Sequence, residues 1–83
     1  MKLLYFAWVR QKVGRSEETL DLPPAVNTVS ALIEHLVTRG PGYAAAFRDP
    51  EQLRCAVNQE HARFDRTIGP GDEVAFFPPV TGG

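Results

Sequence analysis

The sequence closes on Pro78-Pro79-Val80-Thr81-Gly82-Gly83, and the carboxylate at its end is the most distinctive chemical group in the chain. With a reference pKa of ~3.3 to 3.7 it is anionic at neutral pH, an oxygen nucleophile toward an activated phosphate. By itself it is a weak electrophile, so acyl chemistry at Gly83 requires activation by another protein. The two glycines remove every side chain near the end, which lets the backbone enter a channel too narrow for a Cβ. Pro78 and Pro79 cannot extend a sheet ladder and favour an extended path away from the folded body. At ~3.3 to 3.6 Å per residue, the six residues from Pro78 reach about 20 Å, enough to place the carboxylate inside a partner. The alternative that the residues alone leave open is a frayed terminus with no role.

No other pattern competes with that group. There is no P-loop GxxxxGKS/T, no GxGxxG after a strand, no HExxH and no GxSxG, so the usual self-contained chemistries are missing and no active site is expected in the body. Cys55 lies inside the strand-like run LRCAVN, where a small buried thiol is an ordinary core residue. His35 falls beside Glu34 and Leu36, off the apolar stripe of a helix, and His61 falls in a polar turn; both read as solvated surface groups. Glu17 and Glu18 are adjacent in an extended segment and point to opposite faces, which excludes a paired-carboxylate site built from them alone. With one cysteine and no Cys/His cluster, neither an intramolecular disulfide nor a zinc site can form.

The elements that must position the carboxylate follow from periodicity. Lys2 to Val9 is an apolar, aromatic run bounded by polar Arg10–Ser16 with Gly14, a first strand and a turn. Leu20 and Leu22 alternate with Thr19 and Asp21 before Pro23-Pro24 stops the ladder, giving a second strand in a β-hairpin with the first. In TVSALIEHLVTRG, Thr28 is the expected N-cap, and Val29, Leu32, Ile33, Leu36 and Val37 form one stripe. Gly40 is expected at C′, with Pro41 preventing continuation. Gly42–Arg48 adds a short second helix. A strand from Leu53, a polar turn at Gln59–His61 and a short segment at Phe64–Ile68 follow. In GPGDE, Pro70-Gly71 suits a type II turn ahead of the last strand, Glu73–Phe77.

Two strands, a helix, then two or three strands is an α+β pattern: a mixed sheet with one main helix packed on one face. Its strongly apolar first and last strands are expected to lie centrally and in parallel, the β-grasp arrangement. The domain covers residues 1–77 and the tail residues 78–83.

Composition bounds the partners. A chain of 83 residues has room for one modest core, burying roughly 60 to 65% of the surface its unfolded form exposes. Its 43% apolar and 23% charged residues are ordinary, and a formal net charge of −1 offers no basic field for nucleic acid. MKLLYFAWV is interrupted by Arg10, Gln11 and Lys12 without a cleavage site, so it is not read as a secretory signal. No stretch approaches the ~20 apolar residues of a membrane span. A cytoplasmic chain with neither nucleic acid nor membrane as partner is expected.

Three segments carry a family likeness. DEVAFFPPVTGG at Asp72–Gly83, AVNQ at Ala56–Gln59 and LLYFAWVRQKVG at the start closely resemble the small, sulfur-carrier subunits of molybdopterin synthase, a ubiquitin-like β-grasp family ending in diglycine. The resemblance runs from the first strand to the last residue. It implies that an ATP-dependent, ubiquitin-activating-like adenylyltransferase adenylates the Gly83 carboxylate, and that a persulfide donor converts the acyl-adenylate to a thiocarboxylate. It further implies that the tail, Pro78 to Gly82, inserts into the large synthase subunit. There sulfur passes to cyclic pyranopterin monophosphate, two deliveries making the dithiolene that holds molybdenum. The carrier binds no cofactor and contributes no catalytic side chain; ATP belongs to the activating enzyme. Two small and two large subunits form a heterotetramer in that family. His61-Ala62 departs from the more apolar turn expected after AVNQ.

On the first strand, Leu4, Phe6 and Trp8 share a face with Lys2 and Arg10, and Phe77 is expected beside them. Phe6, Trp8 and Phe77 would then form an apolar patch at the tail root, a surface for the large subunit; the competing reading makes these aromatics core. The nearest alternative functions are sulfur delivery to thiamine or transfer RNA, whose carriers lack AFFPPVTGG, and a ubiquitin-like protein modifier.

Overall fold

The computed structural model describes residues 1–79. Along the chain run β1 (Lys2–Tyr5), α1 (Ala7–Val13), β2 (Glu17–Thr19), α2 (Val29–Val37) and α3 (Pro41–Phe47). After a 3₁₀ turn at Pro50–Gln52 come β3 (Arg54–Val57), β4 (Glu60–Ala62) and β5 (Glu73–Phe77). The strands make one sheet in the order β2-β1-β5-β3-β4. β1 and β5 are parallel, with Lys2 opposite Glu73 and Tyr5 opposite Phe76, while the other ladders are antiparallel. The parallel central pair expected from the apolar ends of the chain is present.

Alternation along the strands decides which face is covered. Leu3 and Tyr5 of β1, Cys55 and Val57 of β3, and Val74 and Phe76 of β5 are buried. They join Val29, Leu32, Ile33 and Leu36 of α2 and Tyr43, Ala46 and Phe47 of α3 in one core. Phe47 sits edge-to-face with both central strands, its ring centroid 6.1 Å from Tyr5 and 4.9 Å from Phe76. The α2 stripe is the one its spacing predicts, and Thr28 caps it, its Oγ1 accepting from the Ala31 N–H at 3.1 Å, a contribution of about 1 kcal/mol.

Several local expectations are corrected. The opening run is not one strand: after Tyr5 the chain turns, Ala7 takes a left-handed φ of 55°, and α1 occupies Ala7–Val13. Gly14, read as a turn residue, is the left-handed C-cap of that helix, with φ 91° and its N–H donating to the Arg10 carbonyl at 2.8 Å. β1 and β2 do pair antiparallel, but a helix joins them where a polar turn was expected at Arg10–Ser16. Gly40 serves α3 as N-cap, with Pro41 at the first helical position, so the glycine opens a helix in place of closing one. Gly42 lets α3 approach α1, since a Cβ there would collide with the Lys12 backbone carbonyl. The hairpin turn lies at Asn58-Gln59, both at positive φ (51° and 69°), which puts His61 in β4. The Gly69–Asp72 turn closes through Asp72 N–H to the Gly69 carbonyl at 3.1 Å. Gly71 is not at positive φ there, so type II geometry does not apply.

Adjacent glutamates on β2 do face apart. Glu17 is exposed, 3.2 Å from Lys2 Nζ. The Glu18 side chain is only 6% exposed and gathers three donors. Its Oε2 accepts from the Tyr5 hydroxyl at 2.7 Å and the Tyr43 hydroxyl at 2.6 Å, and its Oε1 from the Arg39 guanidinium at 2.8 Å. Burial pushes this carboxyl up, but the bonds from Tyr43, Tyr5 and Arg39 outweigh it, and its pKa is lowered overall. Burial and then the Glu18 bond raise the pKa values of both tyrosines, so both stay protonated donors. The knot ties the sheet edge to α3 and to Arg39 beyond α2.

A depressed folded pKa means stability that is present above the unfolded carboxylate value and lost as pH falls through the folded one. Glu18→Gln is expected to cost roughly 1.5–3 kcal/mol at pH 7, the range for hydrogen bonds to a charged group. It is also expected to flatten the acid limb of stability below about pH 4.5. Urea unfolding of both proteins from pH 7 down to the acid limb measures both effects; equal acid limbs would rule out Glu18 as their source.

Candidate functional site

The root of the tail is the C-terminal end of β5, the middle strand of the sheet. Four register pairs to β1 and four to β3 hold it, ending with Phe76 opposite Tyr5 and Phe77 opposite Arg54. Beyond the last β1 pair, the Phe6 N–H donates to the Phe76 carbonyl at 3.1 Å. The ladder then stops, because Pro78 and Pro79 have no N–H to continue it. Both prolines are half-buried against the body. Val80, Thr81, Gly82 and Gly83, on which the expected tail insertion and the chemistry at Gly83 fall, lie outside the described residues.

Around this root the open sheet face carries Leu4, Ala56, Ala75 and Phe77, all half-buried. Phe6, the one exposed large hydrophobic residue among the described residues at 50% exposure, directly follows β1, one step beyond the Tyr5–Phe76 pair and so at the Phe77 end of β5. Arg54 flanks Phe77 on the other side and donates from its guanidinium to the Leu53 carbonyl at 2.8 Å. His61 of β4 meets Phe77 edge-to-face, ring centroids 5.5 Å apart. Sheet register thus brings Phe6 and Phe77 to the same end of the central pair.

Trp8 departs from the expected patch. It belongs to α1, packs against the core at half burial, and carries the Lys12 ammonium 5.2 Å above its ring. There it lines a groove with Ala45, Ala46, Arg48 and Gln52. The eight-residue strand assumed for Lys2–Val9 would have carried Trp8 beyond Phe6 on one face; the corner at Ala7 removes it.

Other reactive side chains of the body are engaged in the fold. Cys55 is buried, its thiol donating to the Ala62 carbonyl at 3.3 Å, and burial raises its pKa, which keeps it a thiol. Glu18 is fully engaged. Asp72 accepts from the Asn58 side chain at 3.0 Å and the Gly69 N–H at 2.8 Å, and these bonds lower its pKa while they fix the turn into β5. Among the described residues no His, Cys, Asp or Glu cluster could hold a metal, and no helix is long and apolar enough to cross a membrane.

Two features near the root escape the sequence reading: His61, misplaced into a turn, and Arg54. Asn58 was the available signal for His61, since asparagine tolerates the left-handed conformation that a two-residue hairpin demands.

A parallel pair of terminal strands at the centre of a mixed sheet, three helices over one face and a tail leaving the middle strand define a ubiquitin-like β-grasp protein. The chain belongs to the ThiS family, whose family model matches residues 3–83. It is 46% identical over 85 aligned positions to the molybdopterin synthase sulfur carrier subunit of Escherichia coli, covering 100% of this chain and 99% of that one. The human protein of the same name is 33% identical, covering 100% of this chain and 93% of its own. Among solved structures, the fold is similar to that of SAMP1 from Haloferax volcanii, with TM-score 0.77, 26% identity and coverage of 100% and 98%. A second structure of that organism's small archaeal modifier protein 1 gives TM-score 0.76 at 25% identity, covering 96% of this chain and 97% of that one.

Proposed function

We propose that this chain is the sulfur carrier of a molybdopterin synthase and acts in molybdenum cofactor biosynthesis, with the Gly83 carboxylate as the group that carries sulfur. The observation behind this is the similarity along the whole chain to proteins named as that carrier. The described body supports it, because no side chain there is arranged for chemistry of its own and the strand that leads to the tail is the one most firmly held.

In this reading a ubiquitin-activating-like adenylyltransferase consumes ATP: the Gly83 carboxylate attacks the α-phosphate and pyrophosphate leaves. The terminal sulfur of a donor persulfide displaces AMP to form an acyl disulfide, and a second thiol cleaves its S–S bond, forming a disulfide with the donor and leaving Gly83 as a thiocarboxylate. The carrier docks on the large synthase subunit through the open face around Phe77 and Phe6, with Trp8 at most at its margin. Pro78 to Gly82 thread the tail inward, and sulfur passes to cyclic pyranopterin monophosphate. Two carriers serve two large subunits, in the cytoplasm.

Protein modification is the second reading, favoured by the likeness to the small archaeal modifier protein. It needs the same activated Gly83 and differs only in its acceptor, a target amine. Intact-mass measurement after incubation with ATP, an activating enzyme and a sulfur source separates the two. The carrier is expected to gain the mass of one sulfur for one oxygen at Gly83 and then to lose that sulfur to cyclic pyranopterin monophosphate when the large subunit is added. Covalent conjugates without that exchange would favour the modifier.

A further inference from the structure

His61 and Phe77 touch although their strands are not neighbours. β3 lies between β4 and β5, and in its register His61 stands opposite Ala56, which stands opposite Ala75. Phe77 is two residues farther along β5, opposite Arg54. The rings meet diagonally, planes at 89°, across β3 between Ala56, whose side chain is a single methyl group, and Arg54, whose guanidinium is turned to the Leu53 carbonyl. A larger residue at position 56 would stand between them. This contact is not core packing, because His61 is exposed and Phe77 only half-buried. It fixes the last side chain before Pro78.

We propose that His61 is a positioning residue for the tail: its imidazole braces Phe77 at the point where Pro78 and Pro79 leave β5, and charging the imidazole weakens docking on the large synthase subunit. This rests on the sulfur-carrier reading. An edge-to-face aromatic pair holds its geometry through ring quadrupoles, and the pair here sets the shape of the face that a partner covers. Covering it removes His61 from water, which is far costlier for an imidazolium than for an imidazole.

The surrounding charges do not offset that cost. Arg54 of β3, the residue opposite Phe77, is itself a cation. On β5, Glu73 shares the open face, at the strand end opposite Phe77. Lys2 of β1 and Glu17 of β2 are paired with each other across the sheet. Next to His61 on its own strand is Glu60, whose side chain alternates to the other face, and just beyond β4 Arg63 is paired with Asp65 at 3.5 Å.

Titration calorimetry of the full chain with the purified large subunit tests this, using wild type, His61→Ala and His61→Phe at about pH 8 and about pH 5.5, the span across which histidine side chains change charge. At the higher pH His61→Ala is expected to bind roughly three- to tenfold more weakly, the worth of one aromatic pair, and His61→Phe within about twofold of wild type. Between the two pH values wild type is expected to weaken by roughly tenfold more than His61→Phe, while the melting temperatures of the three stay together. Equal binding by His61→Ala, or superimposable pH profiles for wild type and His61→Phe, overturns the inference alone. Absence of any wild-type binding overturns the carrier reading and this inference with it.

Discussion

Adding one alanine after Gly83 is expected to abolish sulfur delivery while the thermal unfolding of the body stays unchanged. The two shielded groups of the body are committed elsewhere: Cys55 is a buried thiol bonded to Ala62, and Glu18 is held by two tyrosines and an arginine. One extra residue moves the reactive carbon by ~3.3 to 3.6 Å and adds a Cβ where the proposed channel admits only glycine. Misplacement by even about 1 Å can cost on the order of 10²-fold in rate, so delivery should fall by at least that factor. The core residues from Leu3 to Phe76 are untouched by the change. Intact mass after activation, transfer to cyclic pyranopterin monophosphate and a melting curve are the three readouts. An extended chain that still delivered sulfur at the normal rate would move the chemistry away from Gly83.

The second large effect contrasts two adjacent phenylalanines. Phe76 is fully buried, paired to Tyr5 and Cys55, with its ring 4.9 Å from Phe47. Phe76→Ala is expected to destabilise by about 3–5 kcal/mol, the range for a buried phenylalanine, and at 0.05 to 0.15 kcal/mol per residue a domain of this size holds only about 4–12 kcal/mol in total. The melting temperature should then fall by roughly 10–40 °C. Phe77, one residue on, faces the open side. Phe77→Asp is expected to leave the urea midpoint close to wild type yet weaken affinity for the large subunit about tenfold or more. Denaturation and calorimetry on both variants check the pair; unchanged affinity in Phe77→Asp would remove the open face from docking.

Sequence periodicity carries the central elements well, because they obey a single rule each. The α2 stripe needs only 3.6-residue spacing and a capping threonine, and β5 needs only an apolar run between GPGD and two prolines. The β1–α1 corner fails for a physical reason: Tyr5-Phe6-Ala7-Trp8-Val9 is apolar throughout, and an unbroken apolar run does not distinguish strand from helix. Fainter marks were present. Val9 and Val13 are four apart and Trp8 and Lys12 likewise, the spacing of one helical face, with Gly14 supplying the left-handed cap. The Glu18 knot was out of reach, since Tyr5, Glu18, Arg39 and Tyr43 come from four separate segments and only tertiary folding brings them together. At the tail root, the chemistry proposed at Gly83 rests on the last residues and the family resemblance, whereas the His61–Phe77 contact depends on register and on the small side chain of Ala56.

The place of β5 in the sheet has a mechanical consequence. A tail drawn into a partner pulls along the axis of the strand that bears it. β5 is gripped on one side by β1 and on the other by β3, through four register pairs each. Ladder hydrogen bonds lie across the strand direction, so a pull along β5 loads them together in shear and cannot peel them open one at a time. Had the tail left from β2 or β4, each a three-residue edge strand, the same pull would have been resisted by a single ladder of three register pairs. In the delivery cycle proposed above, that arrangement lets the tail be pulled while the body stays folded.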